Sequence, residues 1–599
     1  MVKDISDPAQ TEQTKQRLGL ALSGGGFRAS FFHLGVLARM AELGLLPHVE
    51  VISTVSGGSI IGVLYYLRLR ELLTSKEDAQ ITGQDFVGMV ARIERDFLSA
   101  VQQNLRTRTF VNPLQNMKMA LPHYSRSNRI GELYDSYLYR AVFGAGREKP
   151  IEMRELKIQP KNDPHHDGFN PTMPGHNDHR FAKVPVLLIN ATTLNTGHNW
   201  RFLASRMGEQ PHATAFADDI DKNSRLQRGE YDKIVEAQQD FPLGIAVAAS
   251  AGVPLLFPPL PISGMYKDWR VQLVDGGVYD NQGIAALEDP FYPCTDFIIS
   301  DASGQMGDMQ HPDTSAVAVL NRVMDIFSAR VREETVKCLE NAWGKENVAF
   351  FHLTRGLESY DIPYLSAAGV QSQPKLRLAP STLDSYGVDP GVQQMLSKVR
   401  TDLDSFTDTE AFALMTDGYL MSETELRRIA EHFETQPVDP VQWRFLRVRE
   451  RMADPALDER FVKQLQVASR RFFKPFMLGV TPKLIGASLV FIAVMGLYGA
   501  LIWKISDLLF PGWLAAQWAS LKECLLDIQQ ASLLLLGVVA MFLGEWLGRT
   551  FKILEWLRYP MRVFSGLFTR FILPLLGAFP VYVYLKTIDR YYVGQGRLS

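Results

Sequence analysis

The feature that most constrains how this chain can fold is an order of elements that occurs twice near its start. A short apolar run is followed by a turn of small residues, and then by a stretch with apolar residues at helical spacing. The first copy is LGLAL (Leu18 to Leu22), SGGG and Phe27 to Leu46; the second is VEVIST (Val49 to Thr54), VSGGS and IIGVLYYLRLRELL. A continuously apolar run of this length suits a strand buried on both faces, and the longer periodic stretch suits a helix lying on the sheet. Strands alternating with helices predict a parallel sheet covered by helices. VPVLLINAT (Val184 to Thr192) and FIISDA (Phe297 to Ala302) predict further strands of the same buried kind. The expected fold class is α/β, with a mainly parallel, helix-covered sheet.

The two turns carry the residues with chemistry. Glycine loses the most conformational freedom on folding, so three in succession, Gly24, Gly25 and Gly26, imply a sharp turn or a close approach of the backbone to another group. Backbone N–H groups at the start of a helix are aimed at negative charge, such as the oxygen of a tetrahedral acyl intermediate. Arg28 adds a fixed positive charge just inside the helix, able to hold the loop or to bind a phosphate. Ser56 lies between strand and helix in the second turn, where a hydroxyl stands exposed above the sheet edge; Gly57 and Gly58 supply the small residues such an elbow needs. Thr54 stands where the usual elbow has its first glycine, and a serine N-cap is the competing reading. A serine nucleophile needs a base. In QLVDGGVYDNQG, Asp275 follows an apolar run and precedes two glycines, which places a carboxylate at a strand end, where burial would raise its basicity. Asp280 is the nearby competitor, further into the turn, and DGG alone is an ordinary turn sequence.

In this order, GGGFR, TVSGGS and DGG resemble the patatin-like phospholipases, or lipid acyl hydrolases. The marks of that family are a Gly-Gly-Gly-x-Arg loop, a nucleophile serine at an elbow, and an Asp-Gly-Gly or Asp-Gly-Ala segment. LLINATTLNTG and AVAASAGVPLLFPP share in the resemblance, which covers at least residues 18 to 290 and extends to about 435. It implies a patatin-like sheet and a Ser-Asp dyad in which Ser56 attacks an ester carbonyl and Asp275 is the base, without a histidine, a metal or an organic cofactor. Gly24, Gly25 and Gly26 would form the oxyanion hole, supported by Arg28. His33 and His198 are the histidines nearest the motifs, and His33, inside the first helix, is expected to be structural. The expected function is a serine lipid acyl hydrolase that cleaves acyl esters of membrane lipids through an acyl-enzyme. Acyl transfer to another alcohol would use the same residues, and an inactive scaffold that keeps the fold is the reading Thr54 favours.

Composition enters with the second half of the chain. The 599 residues are 46% hydrophobic and 21% charged, and a formal net charge of -2 gives no electrostatic case for a nucleic-acid partner. Cys294, Cys338 and Cys524 lack the spacing of a zinc site or a disulfide framework, which fits a reducing compartment. Leu484 to Trp503 is a charge-free run long enough for a helix to span the hydrocarbon core. Ile528 to Gly548 is a second candidate span, with Glu545 near its end and Trp546 suited to the interface. Phe571 to Leu585 is shorter and contains Pro574 and Pro580, which suits a re-entrant or interfacial segment, or a third membrane helix packed on the other two. Arg470, Arg471, Lys474 and Lys483 precede the first span, and Arg549, Lys552, Arg558, Arg562 and Arg570 follow the second, so both flanks are expected in the cytoplasm. The polar residues 1–17 lack the apolar core of a secretory signal. The expectation is an integral membrane protein whose catalytic domain sits on the cytoplasmic face, tethered by a C-terminal hairpin to the bilayer that holds its substrate.

The domain organisation follows: a polar tail (1–17), a catalytic domain (18–310), a mainly helical extension (311–470), and membrane segments at 484–503, 528–548 and 571–585. Thr401 to Met421 is the clearest amphipathic stretch of the extension. Asn162 to His179 is a loop by its Pro, Gly, Asn and Asp content. Its His165, His166, Asp167, His176 and His179 are candidate metal ligands, but no helix or strand fixes them, and a solvated loop is the simpler account.

Overall fold

The first apolar run lies where the sheet needs it most, with a strand on either side. The computed structural model describes residues 16–119, 124–144, 146–165, 168–211, 221–254, 256–304, 306–365, 375–378, 386–439, 441–471, 473–479, 481–509 and 573–598. One sheet is built from β1 (Leu18–Leu22), β2 (Val49–Val55), β3 (Val186–Thr193), β4 (Asn199–Phe202), β5 (Arg206–Glu209), β6 (Gly229–Glu230), β7 (Leu260–Tyr266), β8 (Trp269–Asp275), β9 (Asp296–Asp301) and β10 (Val348–His352). Its order is β10-β9-β1-β2-β3-β4-β5-β6, with β8 also pairing with β3 and β7 with β8. The five strands from β10 to β3 are parallel. Every residue of β1, β2 and β9 is buried, which is why these runs carry no polar alternation. Beyond β3 the pairing turns antiparallel, with short connections from β3 to β4 and from β4 to β5 and a longer one from β5 to β6. β10 falls in the stretch read as mainly helical; its VAFFH is too short to announce itself among charged helices.

Helices cover the parallel part. α1 (Gly26–Glu42) follows β1 and α2 (Gly57–Ser75) follows β2; α3 (Leu243–Ser250), α4 (Ala316–Trp343) and α5 (Asp408–Met421) come later in the chain. α1 stops at Glu42, short of the expected Leu46, because Gly44 takes a left-handed conformation (φ 71°) that ends the helix. α5 corrects a second expectation. It starts at Asp408 behind a Thr407–Glu410 capping box, and Thr409 to Met421 are all buried, so the helix has no solvent face. It crosses α1 at backbone contact: a Cβ at Gly35 would lie 1.9 Å from the Met415 carbonyl oxygen, and one at Gly418 2.2 Å from that of Phe32.

The chain divides into two compact units, one of Met1–Arg106, His123–Leu478 and Val593–Ser599, the other of Thr107–Pro122 and Gly479–Tyr592. The first runs past residue 470. Lys474 is buried with its ammonium 2.6 Å from Asp404, and Arg400 lies 2.7 Å from Asp404 and 2.5 Å from Glu410. The C-terminal tail also belongs here: the Gly596 carbonyl accepts from the Thr409 N–H (3.1 Å) and hydroxyl (3.0 Å), and the Leu598 N–H donates to Asp408 (3.2 Å). The first of these contacts satisfies a backbone donor that the first turn of α5 would otherwise leave open, and in the last the helix side chain is the acceptor. In the second unit, α6 (Pro482–Leu509) contains a stretch, Pro482–Leu501, of mean hydropathy 2.2, long and apolar enough to cross a membrane and only 6% buried. α7 (Leu573–Tyr584) carries Pro580 inside it. The expected span Ile528 to Gly548 lies outside the described residues.

Candidate active site

The chain runs from β1 through β2 to β3 in one direction, and β9 and β10 extend the sheet on the other side of β1. The carboxyl end of β1 is therefore a topological switch point, where open α/β sheets leave a crevice. Gly24, Gly25 and Gly26 occupy that end. Gly25 (φ 138°) and Gly26 (φ 59°) have conformations that suit glycine, and a Cβ at Gly24 would sit 3.1 Å from that of Ser56. The loop is thus packed directly against the serine elbow. Its three N–H groups are not equivalent. The Gly24 N–H donates to the Asn281 carbonyl at 2.9 Å, whereas those of Gly25 and Gly26 make no hydrogen bond to the described residues.

Ser56 ends β2 at φ 50°, ψ -117°, a conformation that side chains strongly disfavour. Its surroundings hold it there. Its N–H donates to the Ser250 hydroxyl at the end of α3 (3.0 Å), and the Ser250 and Ser59 hydroxyls lie 2.8 Å apart. Gly57 and Gly58 are required by contact, since a Cβ would come within 2.0 Å of the Gly26 carbonyl oxygen or 2.1 Å of that of Leu22. Thr54 is accommodated in the elbow. Its hydroxyl donates to the Leu188 carbonyl (3.1 Å) and accepts from Ser59 (3.0 Å).

Asp275 reaches the serine through an arrangement of three strands. β2 and β8 take successive stretches of one edge of β3 and run toward each other: Val55 pairs with Asn190, and Asp275 with the next residue, Ala191. The carboxylate is buried, with Oδ1 accepting from the Gly277 N–H at 2.8 Å, while Oδ2 meets no hydrogen-bond geometry with the described residues, Ser56 being its neighbour. Burial pushes its pKa up to about 6, offset in part by the Gly277 N–H and by the nearby Ser56 side chain. Asp280 is engaged elsewhere, accepting from the N–H groups of Gln282 (3.1 Å), Gly283 (3.0 Å) and Ala285 (2.8 Å).

Arg28 is buried and donates to the carbonyls of Ala302 (3.0 Å), Ser397 (3.2 Å) and Val399 (2.8 Å). Its use is to tie α1 to the end of β9 and to the 397–399 segment; the phosphate reading does not fit a guanidinium already spent on carbonyls. His33 is held between the Ser300 hydroxyl (2.7 Å) and the Ser23 carbonyl (3.0 Å), with its pKa lowered by burial to about 4. His198 lies between Glu209 (3.2 Å) and Asp221 (2.6 Å). In the histidine loop, His165 and His176 stack ring on ring at 3.6 Å, and His166 and Asp167 lie outside the described residues. Among the described residues no group of three or more His, Cys, Asp or Glu could hold a metal.

Residues 20–287 match the family model of the patatin-like phospholipases. They form a patatin-like phospholipase domain. No curated protein matches the chain. Among solved structures it is similar to human GIVD cytosolic phospholipase A2 in complex with a fluorophosphonate inhibitor, at 12% identity and a TM-score of 0.37, covering 71% of this chain and 60% of that one. It is also similar to VipD from Legionella pneumophila, at 13% identity and a TM-score of 0.24, covering 70% of this chain and 67% of that one. The chain thus spans about three fifths of the phospholipase A2 chain it matches.

The patatin-like domain uses residues that sequence reasoning passed over. Ser250 sits in AVAASAGVPLLFPP, one of the segments of the resemblance, yet nothing in that segment says that its hydroxyl receives the N–H of a serine 194 positions away. Asn281 is in the QLVDGGVYDNQG segment, and its carbonyl fixes Gly24.

Proposed function

We propose that this chain is a serine lipid acyl hydrolase held at a bilayer by its C-terminal segment. In this reading Ser56 Oγ attacks the ester carbonyl as Asp275 Oδ2 takes its proton, and the oxyanion forms against the N–H groups of Gly25 and Gly26. Collapse returns the proton to the departing alkoxide and leaves an acyl-serine. Water, deprotonated by the same carboxylate, then releases the fatty acid. One observation carries the reading: a serine held in a strained turn beside a buried carboxylate oxygen that has no other hydrogen-bond partner among the described residues. An acid with a pKa of about 6 is ionised enough at neutral pH to accept the proton and acidic enough to give it back.

The patatin-like phospholipase family supports a lipid substrate. Tethering through Pro482–Leu501 and the second apolar run would raise the effective concentration of bilayer lipid around the site without new contacts. The basic flanks of those runs favour a cytoplasmic catalytic domain. A fluorophosphonate probe tests the nucleophile. The wild-type protein should be labelled at Ser56, and Ser56→Ala should fold but take no label; labelling that persists in Ser56→Ala would overturn the assignment.

A further inference from the structure

Helix α4 turns its apolar side outward. Val319, Leu320, Val323, Met324, Phe327 and Val331 recur at helical spacing and share one arc about 140° wide at 3.6 residues per turn. Their exposure runs from 37% at Val323 to 62% at Phe327. The opposite side, with Arg322, Ala329, Arg332 and Val336 half-buried and Leu339 fully buried, is the one seated on the sheet domain. An amphipathic surface helix normally does the reverse, and contiguous apolar surface of this kind marks a contact site.

Its position links it to the candidate dyad. α4 packs beside the short turn Gly277–Asp280, one residue beyond Asp275, and Val278 and Tyr279 of that turn are each 40% exposed. Met306 (42% exposed) and Met309 (54%) lie in the segment that leads from the carboxyl end of β9 to α4. Exposed apolar residues thus stand both on the turn that follows Asp275 and along three turns of the helix packed beside it. The apolar arc of the helix ends where Arg330 and Lys337 pair with Glu333 and Glu334.

We propose that this outer face of α4 is a lipid-contact surface that dips into the interfacial layer of the bilayer presenting the substrate. The proposal rests on the lipid hydrolase reading. The face is a convex ridge of Val, Leu, Met and Phe, the shape and composition of an interfacial helix. A protein occupant broad enough to cover both the ridge and Val278 and Tyr279 would also close the rim through which a lipid must pass. A bilayer is the one occupant that covers the surface and supplies the site.

The test uses the full chain reconstituted in phosphatidylcholine and phosphatidylglycerol vesicles. Leu320→Glu with Phe327→Glu should lower hydrolysis of vesicle lipid at least tenfold and leave hydrolysis of a dissolved short-chain ester within twofold. In parallel, an environment-sensitive fluorophore is attached through Phe327→Cys or, on another side of the helix, Asn321→Cys, each with Cys338→Ser and Cys524→Ser. The label at 327 should be quenched by spin label on the acyl chains and shielded from iodide, and the label at 321 should behave oppositely. An unchanged vesicle rate in the double variant overturns the proposal, as does free iodide access at 327. Shielding from iodide without acyl-chain quenching also overturns it, by assigning the face to a second copy or to another segment of this chain. A wild-type protein inactive on both esters would defeat the hydrolase reading while leaving the quenching result to stand separately.

Discussion

The side chain of Thr54 and the bare α-carbon of Gly62 occupy one space: a Cβ added at Gly62 would lie 2.6 Å from the Thr54 methyl. The threonine that departs from the usual elbow sequence is therefore matched by a glycine in the second turn of α2. Gly62→Ala should be destabilising, and Thr54→Gly should relieve it. A double-mutant cycle by urea denaturation should return a coupling of about 0.5–3 kcal/mol, and Thr54→Gly alone should keep probe labelling at Ser56. Additive effects would mean the two positions are independent.

Ser56 holds a backbone conformation that glycine adopts without strain. Ser56→Gly should therefore abolish ester hydrolysis while raising stability by about 1 kcal/mol. Equilibrium denaturation beside turnover measures both. A loss of stability would show that the serine hydroxyl, and not the turn, holds the elbow together.

Asp275 has opposite effects on activity and on stability as pH changes. Its folded pKa, about 6, stands above the usual 3.8, so the protonated form is the one the fold favours. Its contribution to stability is fully present below about pH 4 and is lost as pH rises through 6, with a total on the order of 3 kcal/mol. Turnover should do the reverse, kcat/KM rising tenfold per unit up to a plateau above pH 6, since the carboxylate is the base. Asp275→Asn should lower turnover by about 10² to 10⁴ and flatten this part of the stability profile. A retained stability slope would assign it to another group.

A truncation ending at Leu478 keeps Lys474 against Asp404, and one ending at Ala468 removes it. Breaking a buried ion pair from one side costs about 3–5 kcal/mol, softened here because Arg400 still faces Asp404. The shorter chain should unfold at lower urea, and the longer one should cleave a dissolved ester but lose rate on bilayer lipid. Equal midpoints would show that Lys474 adds nothing.

What could be read from the sequence was what depends on neighbours in the chain. β1 matched its expected bounds, and Ser56 and Asp275 lie at strand ends, because apolar runs and glycine turns are local signals. What could not be read depends on partners far away. Arg28 has the same local sequence whether it meets a phosphate or a carbonyl, and only Ala302, Ser397 and Val399 decide it. Gly24 looks like Gly25 until Asn281 takes its N–H. The periodicity of Thr401 to Met421 suggested a solvent face that α1 and its neighbours cover instead.

The seating of the C-terminal tail on α5 has a topological consequence. Residues 479–592 leave the first unit, and the chain rejoins it at Val593. A line that departs from one side of a surface and ends on the same side crosses it an even number of times. If α6 crosses a bilayer, one other segment must cross back, and a third crossing is forbidden by parity whatever its hydropathy. Leu598 and Ser56 belong to the same unit, so a protease that reaches Leu598 must reach the domain of Ser56 from that same side.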